Sequence, residues 1–223
     1  MVRYLLLLTG LVLFSCSENK THTVTQLPVV PAVTSIDSSN LLLDQFVEIN
    51  PDNLHIYSPC DTINGQKFKG SEISRCFYHF LKFDNNIAFF NQILYDSIYG
   101  CYKFKFAKNK TGLILRTPSQ YDVTAIDLYV WDDSAKKVIN VINLADAFGD
   151  GDWYFVQDAW LADINKDNNI DIITRKRDYT GSDDTTKVTT TDSLFVMLGD
   201  GSNFKKSLVK VDTIQYKILN WTQ

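Results

Sequence analysis

The sequence predicts a mainly β fold: an antiparallel sandwich, or partial propeller-like sheets, with a short helical segment near residues 71–95. Three observations lead there. From about residue 100 large apolar and polar side chains alternate with period two, as in CYKFKFA, which lays one face of a strand against a core. Turn-forming stretches recur about every 8–12 residues in the second half, the spacing of sandwich and barrel folds. Aromatic residues make up 13% of the chain, including fourteen Phe and eleven Tyr, and these side chains suit a pleated surface.

The elements follow in order. LLLDQFVEIN (41–50) is a strand or a helical turn, and 51–70, rich in Pro, Asn, Asp and Gly, reads as loop. In SEISRCFYHFLKF (71–83) Ile73, Phe77, Phe80 and Leu81 recur at helical spacing behind a Ser cap. Asp84 to Leu94 reads as a second short helix or a strand. CYKFKFA and LILRT flank the turn KNKTG, and TAIDLYVW and VINVINL flank DDSAKK. WYFVQDAWLAD, NIDIITRKR, DSLFVML and FKKSLVKV supply four further strands. Eight strands in about 110 residues suit a sandwich or a few propeller-like sheets. No repeat of fixed period spans the chain, and a closed propeller of many blades does not fit.

At 223 residues the chain is long enough for one domain with a sizeable core. Its formal charge is −4. It therefore lacks the basic face that displaces counterions from a nucleic acid, and no nucleic-acid partner is expected. It has three histidines, none with a catalytic partner nearby in sequence.

Residues 1–16 read MVRYLLLLTGLVLFSC. Arg3 is a short basic start, and the apolar run Tyr4–Phe14 is shorter than the about 20 residues of a membrane span. That is the pattern of a secretion signal. The junction Leu13-Phe14-Ser15-Cys16 resembles the bacterial lipobox. The resemblance implies that residues 1–15 are removed and that Cys16 is acylated and becomes the mature N-terminus. The alternative is an ordinary cleaved signal with Cys16 incidental. Residues 16–40, dominated by Ser, Thr, Pro and Val, read as the lipidated Cys and a flexible tether, with His22 solvated in it. A single β-rich domain, 41–223, follows. Ser17 stands where an aspartate would favour inner-membrane retention, so the expected place is the cell envelope, as an outer-membrane lipoprotein facing either the periplasm or the outside.

Beyond Cys16 there are Cys60, Cys76 and Cys101, spaced too widely for a CxxC zinc or redox motif. An exported domain can keep a disulfide, so the three are buried inert thiols or one bridge with one cysteine over. A catalytic thiol is the third alternative, with Cys76 three residues from His79 but among side chains that look like core packing.

One motif carries chemistry. DINKDNNID (163–171) sets oxygen donors at positions 1, 3, 5 and 9: Asp163, Asn165, Asp167 and Asp171. The main-chain carbonyl of Asn169 completes the set. Calcium takes 6–8 oxygen ligands in a forgiving geometry. Position 6, which must tolerate positive φ, is Asn168. An EF-hand is disfavoured, because position 12 is Thr174 and the flanks look like strands. The alternative without metal is an Asx-rich turn. The loop, the hydrophobic strand Ile172-Ile173-Thr174 and the later Gly199-Asp200-Gly201 with Phe204 resemble one FG-GAP or VCBS-type repeat of integrin-like propellers, over about residues 156–205. The resemblance implies one calcium ion. Departures are Asn165 for Asp, Asn168 for Gly, and the polar insertion DYTGSDDTTKVTTTD, and there is a single copy. On this reading the four side chains converge on one point even without metal, calcium raises the melting temperature, and Asp171→Ala costs little without metal; divergent side chains would favour the Asx turn.

Asp146, Asp150 and Asp152 in DAFGDGDW read as a solvated Gly-Asp turn, with a second metal loop as the alternative; Asp183 and Asp184 read as solvated. Two functions are weighed. The first is a lipid-anchored binding or structural module without catalysis, its partner a protein or a glycan. The second is an envelope hydrolase with paired carboxylates, for which Asp150 or Asp152 with Asp158 are the candidates.

Overall fold

A computed structural model describes residues 38–58, 67–81, 97–119, 125–150, 152–181 and 188–218, all within one compact unit, Asp37–Gln223. Cys16, residues 16–37 of the expected tether, Cys60, the segment from 82 to 96 and the pair Asp183/Asp184 lie outside the described residues. The last three tether residues, Ser38, Ser39 and Asn40, are instead the first turn of a helix that runs to Leu43. The fold is mainly β, 56% strand against 9% helix, as the period-two pattern requires.

Three short strands come first: β1 (Val47–Glu48), β2 (Leu54–Ile56) and β3 (Ser71–Glu72). A long meander follows: β4 (Tyr99–Ala107), β5 (Lys110–Thr117), β6 (Ala125–Asp132), β7 (Lys137–Asp150), β8 (Trp153–Ala162), β9 (Asp171–Gly181), β10 (Val188–Gly199) and β11 (Phe204–Ser207). Each of these pairs antiparallel with the next. The sheet is mixed, because β1 joins β4 in parallel, while β2 joins β8 and β3 joins β4 antiparallel.

β7 turns the sheet into two layers. Its first part, through Ala145, pairs with β6, and from Asp146 onward it pairs with β8. A register shift between Ile126 and Asp127 marks the handover, and such bulges bend a strand and raise its twist. The main core lies between the layers. Phe104, Phe106, Ile114, Leu128, Val130 and Leu144 meet Ala159, Leu161 and Ile172. Fully burying one such large side chain contributes about 1.5–3 kcal/mol. The sheet is not closed: Phe106 of β4 meets Phe204 of β11, ring centroids 5.6 Å apart, so the first and last strands of the meander touch through side chains.

The outer faces are covered too. Leu113, Leu115, Tyr129 and Trp131 pack beneath Leu42 and Leu81, which come from α1 (Ser38–Leu43) and α2 (Tyr78–Leu81). Trp160, Ile173 and Val196 pack against Val211 and Tyr216 of the C-terminal segment. Strands buried on both faces read as near-continuous apolar runs, which accounts for TAIDLYVW.

Three local expectations need correction, the first being that 51–70, read as loop, contains β2 paired with β8. Of the helix expected over 71–83, the described residues show a 3-10 turn, Arg75–Phe77, followed by α2. Ser71 is no cap; it sits in β3, opposite Gly100. The period of Ile73, Phe77 and Leu81 arises because all three face the same core cluster. The polar stretch read as an insertion is largely strand. β9 and β10 stay paired out to Gly181 opposite Val188. Residues 189–192 of this extension are exposed, so Thr supplies β-propensity without apolar surface.

Candidate functional site

The loop 163–170 joins β8 to β9 as a hairpin connection, and its backbone is set by Asx side chains. The carboxylate of Asp163 accepts the N–H of Asp167 at Oδ1 (3.1 Å) and of Asn168 at Oδ2 (2.9 Å). Asn165 Oδ1 accepts the same Asp167 N–H at 3.1 Å. Asp167 Oδ1 accepts the N–H of Asn169 at 2.8 Å, while its Oδ2 accepts from Asn165 Nδ2 at 2.9 Å. These bonds, the Asn169 N–H first and the Asn165 amide next, hold the Asp167 carboxyl below the usual carboxylate range. Asn168 sits at φ +65°, as position 6 demands, and Lys166 at φ +61° is a second left-handed residue.

Asp171 behaves differently from the others. It is fully buried. Its Oδ2 accepts the N–H of Ile164 at 2.8 Å and its Oδ1 the N–H of Gly199 at 2.9 Å. It therefore ties both ends of its own loop to the end of β10. Gly199 is required there by close approach, since a Cβ at that position would run into the Ile170 carbonyl oxygen. Beyond it, Asp200 Oδ1 accepts the N–H groups of Ser202 and Asn203, Gly201 takes φ +75°, and Lys110 Nζ donates to the Gly201 carbonyl at 3.0 Å.

The donor set suits a hard cation by chemistry: three carboxylates, an amide and a carbonyl. Each bonded carboxylate oxygen keeps acceptor capacity, having two lone pairs. The arrangement does not draw the set together. Among the described residues no three His, Cys, Asp or Glu side chains gather where a metal ion could sit. Asp171 is turned into the sheet, and the Asn165 amide donor occupies the near side of Asp167.

The second acidic patch is not one unit. Asp152 is exposed, as expected, and the side chain of Asp150 lies outside the described residues. Asp146 is no solvated turn residue: it is half-buried in β7 at the corner, its Oδ1 accepting from Ser119 Oγ (2.7 Å) and its own layer's Ala147 N–H (2.8 Å). Burial raises its pKa. Asp127 stands nearby, buried, accepting from Thr117 Oγ1 (2.6 Å) and Asn143 Nδ2 (3.0 Å). Burial pushes its carboxyl up to about 6, with the Asp146 charge adding to the rise. Sequence reasoning passed over Asp127; the signal was a lone carboxylate inside an apolar strand.

Asp158, the other carboxylate of the hydrolase reading, is 1% exposed and accepts from, or shares a proton with, His55 Nε2 at 2.8 Å. The His55 ring stacks on Trp160 at 4.4 Å. Asp152 precedes Asp158 by six residues of extended chain, about 20 Å at 3.3 Å per residue. That is well beyond the about 5–9.5 Å that separates the carboxyl groups of glycosidases. The His55–Asp158 pair joins residues 103 apart and carried no local signal.

The cysteines are thiols where described: Cys76 and Cys101 are free. Cys101 donates weakly to the Phe68 carbonyl at 3.4 Å, and burial pushes its pKa up to about 12, so it is inert as a nucleophile. No helix among the described residues is long and apolar enough to cross a membrane. The chain matches no protein-family description, no curated protein and no solved structure.

Proposed function

We propose that this protein is a lipid-anchored module of the bacterial cell envelope, held through Cys16, which binds or supports a protein or glycan partner and performs no catalysis. One calcium ion stabilises its β8–β9 hairpin. The observation that carries the reading is the loop itself. Asp163, Asn165 and Asp167 turn their oxygens inward onto the loop's own N–H groups, with Asn168 left-handed at position 6. The order of elements adds support, because the oxygen-rich loop opens the unit β8–β11 and the Gly199-Asp200-Gly201 turn closes it, as in the FG-GAP or VCBS-type resemblance. Asp163, Asn165 and Asp167 with the Asn169 carbonyl would supply ligands to the ion and have their charges neutralised by it, while Asp171, bonded to Ile164 and Gly199, ties the loop that carries them to β10. The buried carboxylates Asp127, Asp158 and Asp171 are each engaged in joining strands, which favours a structural over a hydrolytic use.

The test compares thermal unfolding of the full chain in calcium and in chelator. A ligand that binds only the folded state stabilises it by about 2.7 kcal/mol at a hundredfold excess over Kd. Wild type should melt higher in calcium, and Asp167→Ala, at an exposed position, should lose that response. Equal melting in calcium and chelator would leave an Asx-closed turn without an ion.

A further inference from the structure

We infer that the groove between β9 and residues 213–218 binds a phosphate-type anion through Arg177 and Lys217. The site is separate from the β8–β9 loop and does not depend on calcium or on the lipid. The groove holds about 390 Å³ and is lined by Arg175, Arg177, Thr213, Ile214, Lys217 and Ile218. That volume falls in the about 300–1,000 Å³ typical of small-ligand sites. Half of the lining residues are cations, in a chain whose formal charge is −4.

The charges do not cancel locally. Among the described residues Asp192 is the carboxylate bonded to these cations, and two of them share it. Arg175 grips it in a fork, Nε to Oδ1 at 2.8 Å and Nη2 to Oδ2 at 2.7 Å. Arg177 Nη2 reaches the same Oδ2 at 3.0 Å. One negative charge thus bonds two guanidiniums, and Lys217 lines the same groove with no bonded carboxylate among the described residues. Asp212, at the near end of the segment, is engaged with the Ile214 N–H at 2.9 Å.

The two arginines have different tasks. Arg175 builds the wall: its Nη1 donates to the carbonyls of Thr213 (3.1 Å) and Tyr216, clamping the C-terminal segment over the sheet. Arg177 is left with donors to offer. Among the described residues its Nη1 has only a long contact to the Tyr179 hydroxyl, 3.4 Å, and its side chain keeps 25% exposure. Lys217 is exposed, with no partner among the described residues. A guanidinium presents a planar fork that matches two oxygens of a phosphate, and an ammonium adds a point charge. Two cations from different elements, in a groove that Thr213 also lines, suit a tetrahedral anion with several oxygens better than a flat carboxylate.

The test uses the full chain in a non-ionic detergent at slightly alkaline pH, where phosphate is dianionic. Inorganic phosphate and glycerol phosphate are titrated against chloride at matched ionic strength, read by melting temperature and calorimetry. A saturable response is expected, weakened roughly tenfold or more in Arg177→Gln/Lys217→Gln, whose circular dichroism should match wild type. Arg177→Lys should recover part of it. Arg175 is left intact because its loss would release the groove wall. A response to both compounds assigns the site to esterified phosphate, as on a lipid headgroup; a response to inorganic phosphate alone assigns it to the free ion. No saturable response, or the same response in the double variant, overturns the inference.

Discussion

The buried carboxylate of Asp171 accepts the backbone N–H of Gly199 across 28 positions of sequence, at 2.9 Å. Through its other oxygen it also holds Ile164. One side chain thus closes the β8–β9 hairpin and pins the end of β10 to it. This bond decides what a mutation at 171 does, whether or not an ion is present.

Asp171→Ala should destabilise the protein in chelator as well as in calcium. It leaves two backbone donors without an acceptor, and the buried one, Gly199 N–H, alone costs about 1–3 kcal/mol. The small cost expected from sequence alone ignored these bonds. Urea unfolding in chelator checks the point, and a change below about 0.5 kcal/mol, the size of an ordinary surface substitution, would contradict it.

Gly199→Ala should be among the more damaging single-methyl additions. The clash is with the Ile170 carbonyl oxygen, a backbone atom that cannot rotate away. Overpacking of this kind costs about 1–3 kcal/mol, and the shift would break the Asp171 bond as well. A wild-type melting temperature in this variant would show that the backbone at 170 yields easily.

At position 168 the backbone conformation sets the outcome. Asn168 is at φ +65°, so Asn168→Gly should be close to neutral and Asn168→Ala should cost about 1 kcal/mol. The two variants differ by one methyl, and neither removes the N–H that Asp163 accepts. Equal stabilities would mean that the left-handed geometry is not held in solution.

Stability should fall as pH rises through the range in which Asp127 titrates. Its folded pKa, about 6, lies above the unfolded value of about 3.9. The folded state therefore binds more protons in that window, and ∂ΔG/∂pH is negative there. Two units correspond to at most about 3 kcal/mol. The contribution is fully present below about pH 4 and is lost as pH passes about 6. Other carboxylates titrate too, so the informative quantity is the difference between wild type and Asp127→Asn. That difference should move toward the variant by about 2–3 kcal/mol between pH 4 and pH 7; a pH-independent difference would rule out this role for the buried carboxyl.

Cys16→Ala should abolish lipid attachment. Expressed with its leader in a bacterium, wild type should partition into detergent, while the variant should remain unprocessed or enter the aqueous phase. Identical processing and sorting of the two would remove the lipobox reading.

Local pattern determined much of this protein. Alternating and apolar runs located β4 through β11, because burial of a strand face depends on neighbours two positions apart, but β7 continues past VINVINL to Asp150 and crosses to the second layer. The Asx spacing of 163–169 likewise foretold a left-handed Asn168, since those bonds span no more than five residues. Where the chain reads its partners from afar, sequence was silent or misleading. Ile73, Phe77 and Leu81 mimic a helix because they share a core wall, while β4 draws Ser71 into a strand. The bend at Ala145 and Asp146, the burial of Asp127, the His55–Asp158 pair and the tie from Asp171 to Gly199 were all decided by tertiary structure. For the polar groups the physical reason is the same: a buried carboxylate is costly without a partner, and which partner comes within 3 Å depends on how two sheets meet, not on the residues beside it.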